Sequence, residues 1–313
     1  MFKIFSCRYP KYLERRQDLI TLWGMRLLAA AVVLLLISLA ILLCRLAWPA
    51  ISKFGWDFLW TKTWNPISEK FGALPFIVGT LTTSFVALLI AAPLSISVAL
   101  FISEICPKRI GKVLGIFVEM IAAVPSIVFG LWGIFSLAPW VQSSATPFLK
   151  NTLGFLPFFQ GPCFGIGVLT ASLILAIMIT PTICSFCREV FRTIQPQTKE
   201  AALALGATRF EMIKIAVLRP SFSGMIGGVV LGLGRALGET MAVAMVIGNS
   251  PRMSLSLLAP GTTMASVIAN EYAEASNATH MASLGYIALL LLAVTLVVNG
   301  LARFIIWKWS PKL

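Results

Sequence analysis

An all-α integral membrane protein with six spanning helices is the expectation from this chain, and three features carry it. Of its 313 residues, 58% are hydrophobic and only 12% are charged, where a soluble domain carries about 25%. Six apolar stretches approach or exceed the roughly 20 residues that a helix needs to cross the hydrocarbon core. Lysine and arginine collect in alternate loops, as the sidedness of insertion requires.

The spans are expected at about Leu22–Leu46, Leu74–Ser103, Lys112–Ala138, Phe164–Phe186, Pro220–Gly248 and Ala282–Trp307. Residues 1–21 form a basic N-terminal arm. The apolar run of 22–46 is too long for a signal-peptide core and no clear Ala-x-Ala site follows it, so it reads as a retained span. In the outer segment 47–73, Trp56, Trp60 and Trp64 recur every four residues. That spacing predicts one aromatic helix face lying on the outer membrane surface. Trp23, Trp48, Trp140, Trp307 and Trp309 fall at span ends, as an interfacial belt does. Pro93, Pro125 and Pro181 lie inside spans, where each kinks its helix and frees a carbonyl. Neighbouring helices or water can satisfy that group.

The N-terminal arm, the second and fourth loops and the C-terminal end hold most of the basic residues. Lys53, Lys62, Lys70, Lys150 and Arg252 are what the other loops carry. Both termini are therefore expected in the cytoplasm, with 310–313 as a short cytoplasmic tail. The formal charge of +13 reads as an orientation signal, with no nucleic-acid partner implied.

Little in the chain suggests catalysis. Cys184-x-x-Cys187 is half a metal site with nothing to complete it, and the six cysteines form no disulfide framework. The single histidine, His280, is expected as a polar loop residue, and Glu271 and Glu274 as solvated acids of an outer loop. No metal, cofactor or catalytic residue is assigned, and the chain is read as a non-enzyme.

The unusual stretch runs from Gly224 to Gly248. Charged residues at the bilayer centre cost at least about 2.5–3.5 kcal/mol each and mark functional positions. Arg235 and Glu239 are four residues apart, on one face of a continuous helix. They either neutralise each other or line a path for a solute. Gly224, Gly228, Gly232, Gly234 and Gly238 permit another helix to approach closely, and a helix of a partner subunit is the expected neighbour. Glu119 is a third intramembrane acid, expected to be protonated or paired with a neighbouring helix.

Between spans four and five, Gln197 to Gly206 reads as a short helix stopped by glycine. Thr208-Arg-Phe-Glu211 fits a capping box that opens a second helix, on which Phe210, Ile213 and Val217 could share an apolar face. This loop, about 188–219, would be a docking surface or ordinary loop packing.

Glu200-Ala201-Ala202, with Gly206 four residues on and Leu218 twelve beyond that, resembles the EAA loop of ABC-importer permeases. Here Arg219 separates Leu218 from Pro220, and Ala216 replaces the usual isoleucine. Phe71-Gly-Ala-Leu-Pro-Phe-Ile77, Val124-Pro-Ser126 with Gly130-Leu-Trp-Gly133, and Arg235-Ala-Leu-Gly-Glu239-Thr-Met-Ala-Val are similar to permeases of the phosphate-specific importer. The last string is nearer the PstC-type subunit than its PstA-type partner.

The resemblance implies a type I ABC-importer permease domain over 74–309. It also implies a phosphate path including Arg235 and Glu239, and ATPase coupling through Glu200, Ala201, Ala202 and Gly206. The implied partners are a second, PstA-type permease in a heterodimer, two ATPase subunits that bind the ATP, and an extracytoplasmic phosphate-binding protein. The localisation implied is the bacterial inner membrane. No Walker A pattern occurs, since Gly232-x-Gly234-x3-Gly238 lacks the closing Lys-Ser/Thr. Sulfate or molybdate ABC importers remain alternatives, and so does an ion-coupled secondary anion transporter.

Overall fold

A computed structural model describes residues 11–155, 157–161, 164–254 and 256–309. The start of the N-terminal arm and the tail 310–313 lie outside the described residues. Six helices are long and apolar enough to cross a membrane, and no named strand forms among the described residues. This is the all-α, six-span architecture expected.

The chain runs α1 (Lys11–Phe54), α2 (Asp57–Trp60) and α3 (Leu74–Leu100). Then come α4 (Lys108–Ala122), α5 (Ser126–Thr152) and α6 (Val168–Arg192). Short α7 (Pro196–Ala204) leads into α8 (Arg209–Gly238). The last helices are α9 (Met241–Val246), α10 (Met264–Glu271) and α11 (Ala278–Trp309).

Helix α6 is the hub. It packs against α3, α4, α5, α8 and α9, and Ile174, Met178, Ile179, Ile183 and Phe191 are almost wholly buried along it. By contrast α1 leaves most of its apolar surface exposed and meets the rest mainly along α11. Gly285 permits that contact, because a Cβ there would sit 2.8 Å from Leu46 Cγ.

The third expected span, Lys112–Ala138, is corrected. Two helices occupy this stretch, and the chain turns between Ala122 and Ser126. Pro125 offers no N–H, and the residue before a proline disfavours helical geometry. The span is α5, which includes Pro139 and continues through π-helical turns to Thr152. The fourth span, α6, begins at Val168, a few residues later than expected, and continues to Arg192.

The tryptophan face is also corrected. Helix α2 ends at Trp60, so only Trp56 and Trp60 project outward, while Trp64 turns into the core. Its indole Nε1 donates to the Glu271 carboxylate at 2.9 and 3.1 Å. His280 Nε2 lies 2.8 Å from the same carboxylate, and its ring stacks on Phe71 at 5.4 Å. His280 is therefore a buried residue of α11, and Glu271 joins three separate segments instead of standing solvated. A buried indole N–H needs an acceptor, and Glu271 supplies it.

Candidate functional site

Arg235 lies in the last turn of α8, where the carbonyl end of the helix favours a cation. It is half-buried, and its Nη1 donates to Thr182 Oγ1 on α6 at 3.1 Å. Among the described residues it forms no ion pair.

Glu239 is not on the same helix, which corrects the shared face expected for the two charges. The chain leaves α8 after Gly238, Glu239 is extended at φ −68° and ψ 126°, and a new helix opens at Met241. Glycine weakens a helix interior, and the neighbouring polar groups serve the broken ends. Glu239 Oε1 accepts from Ala242 N at 3.4 Å, and Thr240 Oγ1 donates to the Gly238 carbonyl at 3.2 Å. Half-helices meeting at a break inside a span are a recurrent way of presenting charge and backbone dipoles to a solute.

The glycines of α8 have partners inside this chain. A Cβ on Gly224 would lie 2.5 Å from Val190, one on Gly228 3.0 Å from Phe186, and one on Gly232 2.5 Å from Ile183. All three contacts are with α6, so these three glycines serve the internal α6–α8 packing, while Gly234 meets Asn299 of α11. Gly238 faces open space beside the break.

Glu119 finds its partner on α6, as an ion pair with Arg188. Arg188 is 3% exposed, whereas the Glu119 side chain is 57% exposed. Gly115 makes room for the guanidinium, since a Cβ there would collide with Nη1.

The segment between α6 and α8 forms the two helices expected. Gly206 takes φ +86°, its N–H bonds Leu203 O at 2.9 Å, and Ala207 N bonds Ala202 O at 3.2 Å. That pairing is a Schellman stop, which requires the left-handed residue. Thr208 and Glu211 close the capping box that opens α8. Phe210 points away from Val217, the first 75% exposed and the second buried, so the shared apolar face is not formed. Helix α7 buries no residue. Glu200, Ala201 and Gly206 are exposed and Ala202 is half-buried. Leu205 at the tip is 90% exposed.

Sequence reasoning singled out Arg235, Glu239 and the loop as candidates, but it missed Thr182 and the pairing of Lys199 Nζ with Glu104 Oε1 at 2.7 Å. A hydroxyl directly after Pro181 inside a span was the available signal for Thr182. Lys199 and Glu104 are far apart in sequence and left no such mark.

Residues 93–309 match the family model described as the binding-protein-dependent transport system inner membrane component. The chain is 44% identical to the phosphate transport system permease protein PstC of Mesorhizobium japonicum, over 92% of this chain and 89% of that one. It is 45% identical to the PstC of Xylella fastidiosa, over 91% and 90%. Among solved structures, a bacterial ABC transporter involved in import of the acidic polysaccharide alginate superposes with a TM-score of 0.58 at 19% identity. That match covers 95% of this chain and 99% of the other, and it bears on the fold alone.

The chain belongs to the family of inner-membrane permeases of binding-protein-dependent transport systems. Within that family it is a PstC-type phosphate transport permease, a multi-pass membrane subunit of an ABC importer.

Proposed function

We propose that the chain forms half of the membrane path for inorganic phosphate, with uptake driven by ATP hydrolysis on separate cytoplasmic subunits. The observation that carries the path is Arg235. It sits within a spanning segment at a helix break, held by a neutral hydroxyl instead of a carboxylate. Its charge is uncancelled by any ion pair among the described residues. The planar guanidinium fork suits a phosphate oxyanion, and Glu239 can accept a hydrogen bond from a protonated phosphate oxygen.

In this reading both termini and the α6–α8 loop face the cytoplasm. Helix α7 with Leu205 and Phe210 docks into an ATPase subunit. Its bare surface supports that assignment, because exposed apolar residues at a loop tip mark an interaction site. A PstA-type permease completes the path as a heterodimer, two ATPase subunits bind the ATP, and an extracytoplasmic binding protein delivers phosphate. The chain itself carries neither cofactor nor ATPase site.

The test is ATP-dependent uptake of labelled phosphate by the purified complex in proteoliposomes. Uptake should resist both an excess of sulfate and an uncoupler, and Arg235→Gln should abolish it at normal membrane abundance. Unchanged uptake by that variant, or full competition by sulfate, would overturn the reading.

A further inference from the structure

A cavity of about 630 Å³ lies where α4, the end of α6 and the start of α7 meet. None of the residues placed at the Arg235 site lines it. Lys108, Lys112, Arg188, Arg192 and Lys199 supply five cations to its wall, and Glu104 and Glu119 are the acids among the lining residues.

The acids leave part of this charge unanswered. Glu119 pairs with Arg188 and Glu104 with Lys199. Arg192 has an exposed contact with Glu189 at 3.0 Å, a type of pair that contributes little. Lys108 and Lys112 are exposed and appear in none of these ion pairs.

Two further features point to an anion. Arg188 is more than nine-tenths buried, yet its Nε has no hydrogen-bond partner. A buried guanidinium N–H without an acceptor is destabilising. Helix α4 also opens at this cavity with Pro107 before it and no side-chain cap. Its first-turn N–H groups and the positive end of its dipole favour negative charge there.

We propose that this pocket binds a phosphoryl anion, and that the bound anion bridges α4 and α6 to the coupling helix α7. Its cytoplasmic location rests on the side assigned to the coupling loop above. Two sources offer the same chemistry. One is the headgroup of an anionic phospholipid, which basic pockets between membrane helices accept, and the other is free inorganic phosphate. Either places its oxygens between Lys108, Lys112 and Arg188. Because Lys199 and Pro196 of α7 belong to the wall, occupancy ties the coupling helix to the membrane domain.

Cys106 lines the cavity and carries a free thiol, so it reports occupancy directly. The assembled complex is placed in nanodiscs of phosphatidylcholine, and alkylation of Cys106 by N-ethylmaleimide is followed by peptide mass spectrometry. One arm adds inorganic phosphate at constant ionic strength, balanced with chloride. The other adds phosphatidylglycerol to the nanodisc. We expect at least one arm to slow alkylation several-fold, and which arm does so names the source. Lys108→Gln with Lys112→Gln, both at exposed positions, should remove the protection. Running both arms on Arg235→Gln separates this site from the transport path.

Equal alkylation rates in every condition overturn the proposal, provided the complex still hydrolyses ATP. Undiminished protection in the double variant overturns it equally. Protection that persists while phosphate uptake proves absent would refute the transport reading and leave the pocket standing.

Discussion

Replacing Thr182 by valine tests whether the permease positions Arg235 or merely contains it. The substitution keeps the branched shape and removes one hydroxyl, the acceptor 3.1 Å from Arg235 Nη1. A hydrogen bond to a charged group contributes about 1.5–3 kcal/mol net. Arg235 is only half-buried, so water can replace part of the loss and the lower value applies. About 1.4 kcal/mol is a factor of ten in an equilibrium constant. The apparent affinity for phosphate should therefore fall roughly tenfold. The assay is uptake of labelled phosphate into proteoliposomes over a range of concentrations, with ATP hydrolysis measured in parallel. Thr182→Ser retains the hydroxyl and should stay near wild type. If Thr182→Val transports within twofold of wild type while Arg235→Gln is inactive, the tether to α6 does not orient the guanidinium.

Further outcomes follow from contacts elsewhere. Gly206→Leu should lose ATPase association, measured by co-purification, because a left-handed residue with a Cβ costs about 1–2 kcal/mol and the loop tip must reshape. Gly232→Val should lower the thermal midpoint of the complex, since Ile183 already fills that space and overpacking costs about 1–3 kcal/mol. Glu119→Gln strands the buried Arg188 and should destabilise the protein, whereas Glu119→Leu with Arg188→Met should recover most of that loss in the same melting assay. Glu271→Gln weakens the acceptor shared by Trp64 and His280, and should raise proteolysis of the 61–73 segment.

Composition and the distribution of charge made the six-span architecture legible, because insertion into a membrane constrains both directly. The loop between α6 and α8 was legible for a different reason. Its glycine stop and its capping box are local devices, and Gly206, Thr208 and Glu211 complete them within a few residues. The break after Gly238 was less visible. Periodicity ran smoothly from Gly224 to Gly248, and nothing local required Glu239 to leave the helix. The same limit applied to Pro125, where a tolerated kink and a full break share one signature. Arg188, counted as a loop charge, proved to be among the most buried groups. The space over Gly115 and the pairing with Glu119 accommodate it there, and no sequence pattern records either. Thr182, Trp64 and His280 acquired their roles from residues distant in sequence, which a single chain read alone does not pair.

The position of α6 has a mechanical consequence. A helix packed against α3, α4, α5, α8 and α9 is held along most of its length, with only a narrow exposed strip that includes Ile177 and Phe186. Three residues, Thr193 to Gln195, separate its end from α7. A push delivered at α7 therefore enters at the axle of the bundle and not at its rim. In the proposed assembly the helices around α6 should move together, with α1 carried along through its contact with α11.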